Sequence, residues 1–213
     1  MIATTSFRSA ALLLCIALAA CSALPDKPVR STLYDFGPVA EAPVSTSAPA
    51  RAPAIVLADV ETTGSLDGSA ILYRLGYADD HQLRPYANSR WSAPPPQLIR
   101  QRLRQQIGRD RPVLDLADSV ALARSGGASP RVLRIDLEEF SHFFETETQS
   151  SGFVRLRATL MDNTAGGEQL VAQRNFVVRR PAPTPDASGG VRALTLATDA
   201  AAAELAQWLQ GVR

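Results

Sequence analysis

An α+β fold, a two-layer sandwich of a mostly antiparallel sheet covered by two main amphipathic helices, follows from three features of this 213-residue chain. Its second half holds runs of apolar–polar alternation separated by turn residues, as half-buried antiparallel strands require. Two other segments carry apolar residues at helical spacing. A helix stripe and a one-faced sheet each need an apolar cover, and packing one on the other satisfies both.

The N-terminus carries an address. Arg8 supplies a positive flank and residues 10–20 a short apolar run, too short to span a bilayer but right for a secretory signal. An uncleaved signal anchor is the other reading, and the shortness of the run speaks against it. Leu18-Ala19-Ala20-Cys21 closes the run and resembles the lipobox of bacterial lipoproteins. That resemblance implies cleavage before Cys21, a thioether diacylglycerol on its sulfur and an acyl group on the new amino terminus. Two acyl chains already anchor stably, at roughly 0.8 kcal/mol per buried methylene. Ser22 stands where the inner-membrane retention signal of many such lipoproteins places aspartate, so the resemblance favours the outer membrane. The chain therefore divides into a signal peptide (1–20), a lipidated tether (21–31) and a domain (32–213).

Pro25, Lys27 and Pro28 make residues 22–31 a tether that extends at most about 35 Å, at roughly 3.3–3.6 Å per residue. Residues 37–53, 125–130 and 181–190 read as loops rich in Pro, Ala, Ser or Gly. Residues 55–60 are a short β-prone run, and in 71–77 Ile71, Tyr73, Leu75 and Tyr77 alternate with Leu72, Arg74 and Gly76. In 131–140 Leu133, Ile135 and Leu137 face one way and Arg134, Asp136 and Glu138 the other, until Phe140 breaks the phase and predicts a bulge. Val154, Leu156, Ala158 and Leu160 repeat the pattern, and residues 163–167 turn it into a strand over 169–178. These three strands form a predicted antiparallel meander.

The first helix is predicted with Ser92 as N-cap ahead of Pro94 and Pro95, a stripe of Leu98, Ile99, Leu103 and Ile107, and Gly108 at its end. Arg100 and Arg104 share its expected wet face. The second spans 191–210, with Leu194, Ala201, Leu205 and Trp208 on one side and Gly211 as the stop.

Composition narrows the function. Lys plus Arg number 22 against 21 Asp plus Glu, and removing the signal takes away Arg8 alone, so balanced charge and an envelope address argue against nucleic acid. Cys15 falls in the signal and Cys21 carries lipid, which leaves no thiol for a disulfide, a thiolate metal site or a nucleophile. His81, in a polar turn with Asp79, Asp80 and Gln82, and His142, beside Phe143 and Phe144, have no partner at zinc-ligand spacing. No phosphate loop, Ser-His-Asp order or dinucleotide fingerprint occurs. No catalytic residue, metal or cofactor is expected.

The run Ile71-Leu72-Tyr73-Arg74, then Leu83, then Tyr86 through Arg90-Trp91-Ser92-Ala93-Pro94, then Leu98 and Leu103, is similar to the ABC-type transport auxiliary lipoproteins. The lipobox, Leu33-Tyr34-Asp35-Phe36, Leu133-Arg134-Ile135-Asp136 and the alanine-rich last helix follow in the family's order. The family often has histidine near Arg90, where this chain has Asn88 and Ser89. The resemblance implies a noncatalytic accessory subunit whose partner is an MCE-domain protein of an ABC transport system. Such a system moves phospholipid or other lipophilic cargo between inner and outer membranes. The alternative is a lipoprotein that itself binds lipid in a sheet–helix pocket, and a third reading is an envelope hydrolase using His142 and glutamates. Symmetric self-association suits a tethered scaffold.

Arg74, Arg90 and Trp91 are the candidate partner-binding residues, because Arg and Trp combine contact area with directional polar groups. Trp91 packing on the sheet and Arg74 pairing with Asp136 or another carboxylate are the competing structural roles. Glu138, Glu139, Glu145 and Glu147 read as a solvated strand face and its end. The run Arg100, Arg102, Arg104, Arg109 and Arg111 reads as a solvated helix face with lipid headgroups or an acidic partner as the alternative. Phe140, Phe143, Phe144 and Phe153 are either a patch for a partner or acyl chain, or the hairpin's own core.

Overall fold

The computed structural model describes residues 30–38, 52–118, 129–164 and 166–212. In chain order these form β1 (Thr32–Tyr34), β2 (Ile55–Thr62), β3 (Ala70–Leu75), β4 (Asp79–Trp91), α1 (Pro95–Ile107), β5 (Val113–Leu114), β6 (Arg131–Phe144), β7 (Ser150–Thr164), β8 (Gly167–Pro181) and α2 (Ala187–Gly211). The signal segment, Cys21 and the tether up to residue 29 lie outside the described residues, as do most of the predicted loops 37–53 and 125–130.

The strands make one eight-stranded sheet that forks at β6. One edge of β6 pairs antiparallel with β7 from Val132 to Phe144. Its other edge is shared: β2 runs parallel to Arg131–Leu137 and β3 parallel to His142–Phe144. The register slips between Leu137 and Glu139, two residues before the Phe140 that predicted a bulge, and β2 leaves the sheet there with Thr62 Oγ1 donating to the Leu137 carbonyl at 3.1 Å. A bulge re-aims the strand and sharpens its twist, which lets one strand serve two neighbours in succession. Beyond the fork β3 carries β4 and β1, β2 carries β5, and β7 carries β8. The antiparallel ladders β6–β7–β8, the predicted meander, are the long ones, while the parallel pairings are short.

The alternating residues fall as their period requires. Leu133, Ile135, Leu137, Val154, Leu156, Ala158 and Leu160 are each no more than 2% exposed, and both helices cover that face. Complete burial of each such aliphatic side chain contributes roughly 1.5–3 kcal/mol.

Three expectations are corrected, and the end of α1 at Gly108 holds. The N-cap position of α1 is Pro94, not Ser92, whose N–H instead donates to the Tyr34 carbonyl at 2.7 Å and so extends the sheet. Gly108 ends α1 without a left-handed turn, its N–H returning to the Arg104 carbonyl at 2.9 Å. The polar segment from Asp79 is the start of the long strand β4, and the turn lies at residues 76–78. Residues 187–190 are the first turn of α2, not loop, because Asp186 caps them by accepting from Gly189 N at 2.7 Å.

The early start of α2 depends on bare backbone. A Cβ at Gly152 of β7 would overlap the backbone of Ala193 and Leu194, and one at Gly190 would overlap the His142 ring. Ala193, Ala197, Ala201 and Ala202 continue the stripe at 0–1% exposure, so helix and sheet meet almost backbone to backbone. Replacing Gly152 by valine is expected to destabilise the domain by roughly 3 kcal/mol, the upper end of overpacking penalties. This lowers the melting temperature by roughly 6–12 °C, measurable by thermal unfolding followed by circular dichroism.

Candidate functional site

Arg74, Arg90 and Trp91 occupy neighbouring strands but do not converge on one surface. Trp91 is 1% exposed, set edge-on against Phe36 with ring centroids 5.5 Å apart and tilted on Phe140 at 5.6 Å. Its indole is core and has no face left for a partner, which corrects its place among the contact candidates. Arg74 forms a fork with Glu139, Nε and Nη2 donating at 3.2 and 3.0 Å, while Nη1 donates to the Asp80 carbonyl at 3.0 Å. Its partner is therefore Glu139, not Asp136, and the clamp ties β3, β4 and β6 together. Arg90 is half-buried and donates through Nη1 to the carbonyls of Tyr86 and Ser89.

The arginine run of α1 is likewise not a freely solvated face. Arg102 is 6% exposed, pairs with Asp199 of α2 at 3.2 Å, donates to the Phe36 carbonyl at 2.6 Å and lies over the Phe36 ring. Burial pushes the Asp199 carboxyl up, opposed by the charges of Arg102 and Arg109. Arg100 meets Asp59 at 3.2 Å, Arg104 the Val113 carbonyl at 3.1 Å and Arg111 the Leu209 carbonyl at 3.2 Å. A guanidinium presents five donors in a fixed fork, which suits it to collect carbonyls where strands and helices end.

The phenylalanine cluster belongs mostly to the core. Phe140, Phe144 and Phe153 are buried, and the Arg179 guanidinium covers the Phe143 and Phe153 rings at 4.5 and 4.1 Å from their centroids. Glu138 pairs with Arg157, and Glu145 accepts from Ser151 Oγ at 2.5 Å.

His81 is exposed, whereas His142 is fully buried, shares a 2.8 Å hydrogen bond between Nδ1 and the Tyr86 hydroxyl, and leaves Nε2 without a partner. Burial pushes His142 down to about 4 and Tyr86 well above the usual phenol range. Among the described residues no group of three or more His, Cys, Asp or Glu is arranged to hold a metal ion. This pair was invisible in sequence, since Tyr86 and His142 are far apart in the chain and meet only through the β3–β4 and β3–β6 pairings.

An apolar groove of about 580 Å³ lies between β1 and the first half of α2, walled by Leu33, Tyr34, Phe36, Val191, Thr195 and Leu196. Leu33 and Leu196 are 68% and 54% exposed. A second cavity, of about 690 Å³, lies beside the C-terminal end of α2, among Ile55, Pro130, Leu160, Leu209 and Val212 with Arg111 and Arg131 at its edge. No described helix is long and apolar enough to cross a membrane.

This domain matches the model of the ABC-type transport auxiliary lipoprotein component over residues 34–206. The chain belongs to that family. The match begins in β1 and ends within α2, so it takes in nearly the whole described fold. A Xanthomonas campestris protein of the DUF330 family has the same fold, with a TM-score of 0.66 at 18% identity over 84% of this chain and 94% of that one. A second solved structure, an uncharacterised protein, superposes with a TM-score of 0.58 at 17% identity, covering 84% of this chain and 99% of its own. No curated protein sequence matches.

Two measurements separate core from surface in this site. His142 titrates lower in the folded chain than in the unfolded one, so between about pH 6.5 and 4 the unfolded state binds a proton the native state refuses, and stability falls as pH falls through that window. The melting temperature of the wild type is expected to drop more steeply across this range than that of His142→Phe. Trp91→Ala is expected to cost about 3–5 kcal/mol, the usual range for emptying an aromatic core site, as read by chemical denaturation.

Proposed function

We propose that this chain is a noncatalytic periplasmic lipoprotein, held in the outer membrane by acylated Cys21, that docks onto an MCE-domain protein of its ABC transport system so that phospholipid or other lipophilic cargo passes between the membranes. The observation that carries the reading is the family match over residues 34–206 behind a lipobox at Cys21. The signal peptide (1–20), the lipidated tether (21–31) and the domain from residue 32 are parts of the same proposal.

Its mechanism is positional. Acyl chains on Cys21 hold one end, a tether of some 35 Å at most limits the excursion, and a stiff sheet–helix domain offers its surface at a set height. Arg74 and Arg90 act in this reading by setting the β3–β4 surface that a partner meets, with Trp91 supporting it from inside. The second reading, a lipoprotein that itself binds lipid between sheet and helix, is favoured by the β1–α2 groove. Self-association through a symmetric interface is compatible with either.

Envelopes crosslinked in the cell and solubilised should yield an MCE protein with the captured wild-type chain, identified by mass spectrometry, and Cys21→Ala should lose that partner through mislocalisation. Phospholipid recovered with the chain and no MCE protein would replace the docking reading by the lipid-binding one.

A further inference from the structure

The β1–α2 groove opens at the root of the tether. Leu33, one of its walls, lies twelve residues after Cys21, so the groove mouth stays within about 40 Å of the acylated sulfur even with the intervening chain fully extended. Its lips are the large apolar side chains Leu33 and Leu196, exposed to 68% and 54%, on two different elements. Exposed apolar side chains from separate elements that meet in one groove mark an interaction surface more specifically than single ones do.

The polar rim limits what can lie there. Arg192 lines the groove, its guanidinium held by the Ser188 hydroxyl at 2.9 Å and the Thr184 hydroxyl at 3.5 Å, with the Asp186 carboxylate near enough to feel its charge. The one carboxylate on the rim, Asp35, already accepts the Gly37 N–H at 2.8 Å. The stretch just before β1 carries Asp26, Lys27 and Arg30, one positive charge in excess. Apolar walls and a short chain path to an acyl anchor fit one occupant: a phospholipid of the anchoring leaflet, with an acyl chain in the groove and Arg192 as the cation at its edge. A volume of about 580 Å³ is of the size that small-molecule and lipid sites use.

We propose that the β1–α2 groove takes an acyl chain of a phospholipid from the leaflet that holds Cys21, so that this end of the domain rests on the membrane surface and the C-terminal end of α2 points away. The inference rests on the anchoring part of the proposed function and not on the MCE partner.

The mature lipidated chain has no free thiol, so Leu196→Cys provides a single site for a bimane label, and Gln173→Cys, exposed on the sheet face opposite the helices, provides the control. Both are reconstituted in vesicles of phosphatidylethanolamine and phosphatidylglycerol whose phospholipids carry an acyl-chain nitroxide. The expected result is that the label at position 196 loses most of its emission, the label at 173 loses little, and adding Leu33→Asp to the 196 variant restores the emission without lowering its melting temperature. Equal quenching at 196 and 173, or none at 196 while the chain floats with the vesicles, overturns the groove assignment and leaves the anchor in place. A chain that does not float overturns the anchor and the docking together. Failure to capture an MCE protein in the envelope experiment, with quenching at 196 intact, removes the transport partner alone.

Discussion

The contact on which the rest of this domain depends is the one between the bare backbone of Gly152 in β7 and the α2 backbone at Ala193 and Leu194. With no side chain between them the helix sits close to the sheet, and its alanine stripe keeps that spacing along the following turns. Alanine combines the best helix propensity with the smallest apolar side chain, so the helix that forms most readily is also the one that fits. The same closeness presses Gly190 onto the His142 ring and shuts the imidazole away from water. The low pKa of His142, its hydrogen bond to Tyr86 and the orphan Nε2 are consequences of that packing.

Arginine does the joining that packing leaves undone. Arg74 bridges three strands, Arg102 joins α1, α2 and the end of β1, and Arg100, Arg104 and Arg111 collect carbonyls at element ends. In the Arg102–Asp199 pair only the guanidinium is buried, so the pair itself adds little net stability, yet removing Asp199 leaves that buried charge without its counterion and is expensive. Its role is to specify: only one relative placement of the two helices brings that guanidinium to both Asp199 and the Phe36 carbonyl. A chain whose sole lysine is Lys27, in the tether, has committed its domain to these forked contacts.

The two ends of α2 differ in what they offer. At its start the β1–α2 groove is apolar and lies next in sequence to the tether; at its finish Arg111 holds the Leu209 carbonyl beside the larger cavity. An auxiliary subunit that works by position needs one end suited to its anchor and a stiff body to carry its contacts outward. The long antiparallel ladders of β6, β7 and β8 supply that body.

Much of this was legible in the chain because the signals are local. Alternation in 133–137 and 154–160, the slip at Phe140 and the helical stripe from Leu98 to Ile107 each depend on residues a few positions apart, and each reappears as burial, bulge or helix. What the sequence alone could not yield is whatever depends on non-local partners. Strand β4 hid behind its polar start because it lies toward the sheet's edge, where the apolar pattern weakens. The first turn of α2 hid behind Gly189 and Gly190, which look like loop residues until the sheet they must approach is in place. Trp91 read either as a contact residue or as one packed on the sheet, and Arg102 as solvated, until tertiary packing buried both. By itself the sequence determined the class, the meander, the helices and the family, since periodicity and motif order are properties of the chain. Only the tertiary structure decided which side chains face water, because exposure is a property of what packs against a residue and the covering element is far away in the sequence.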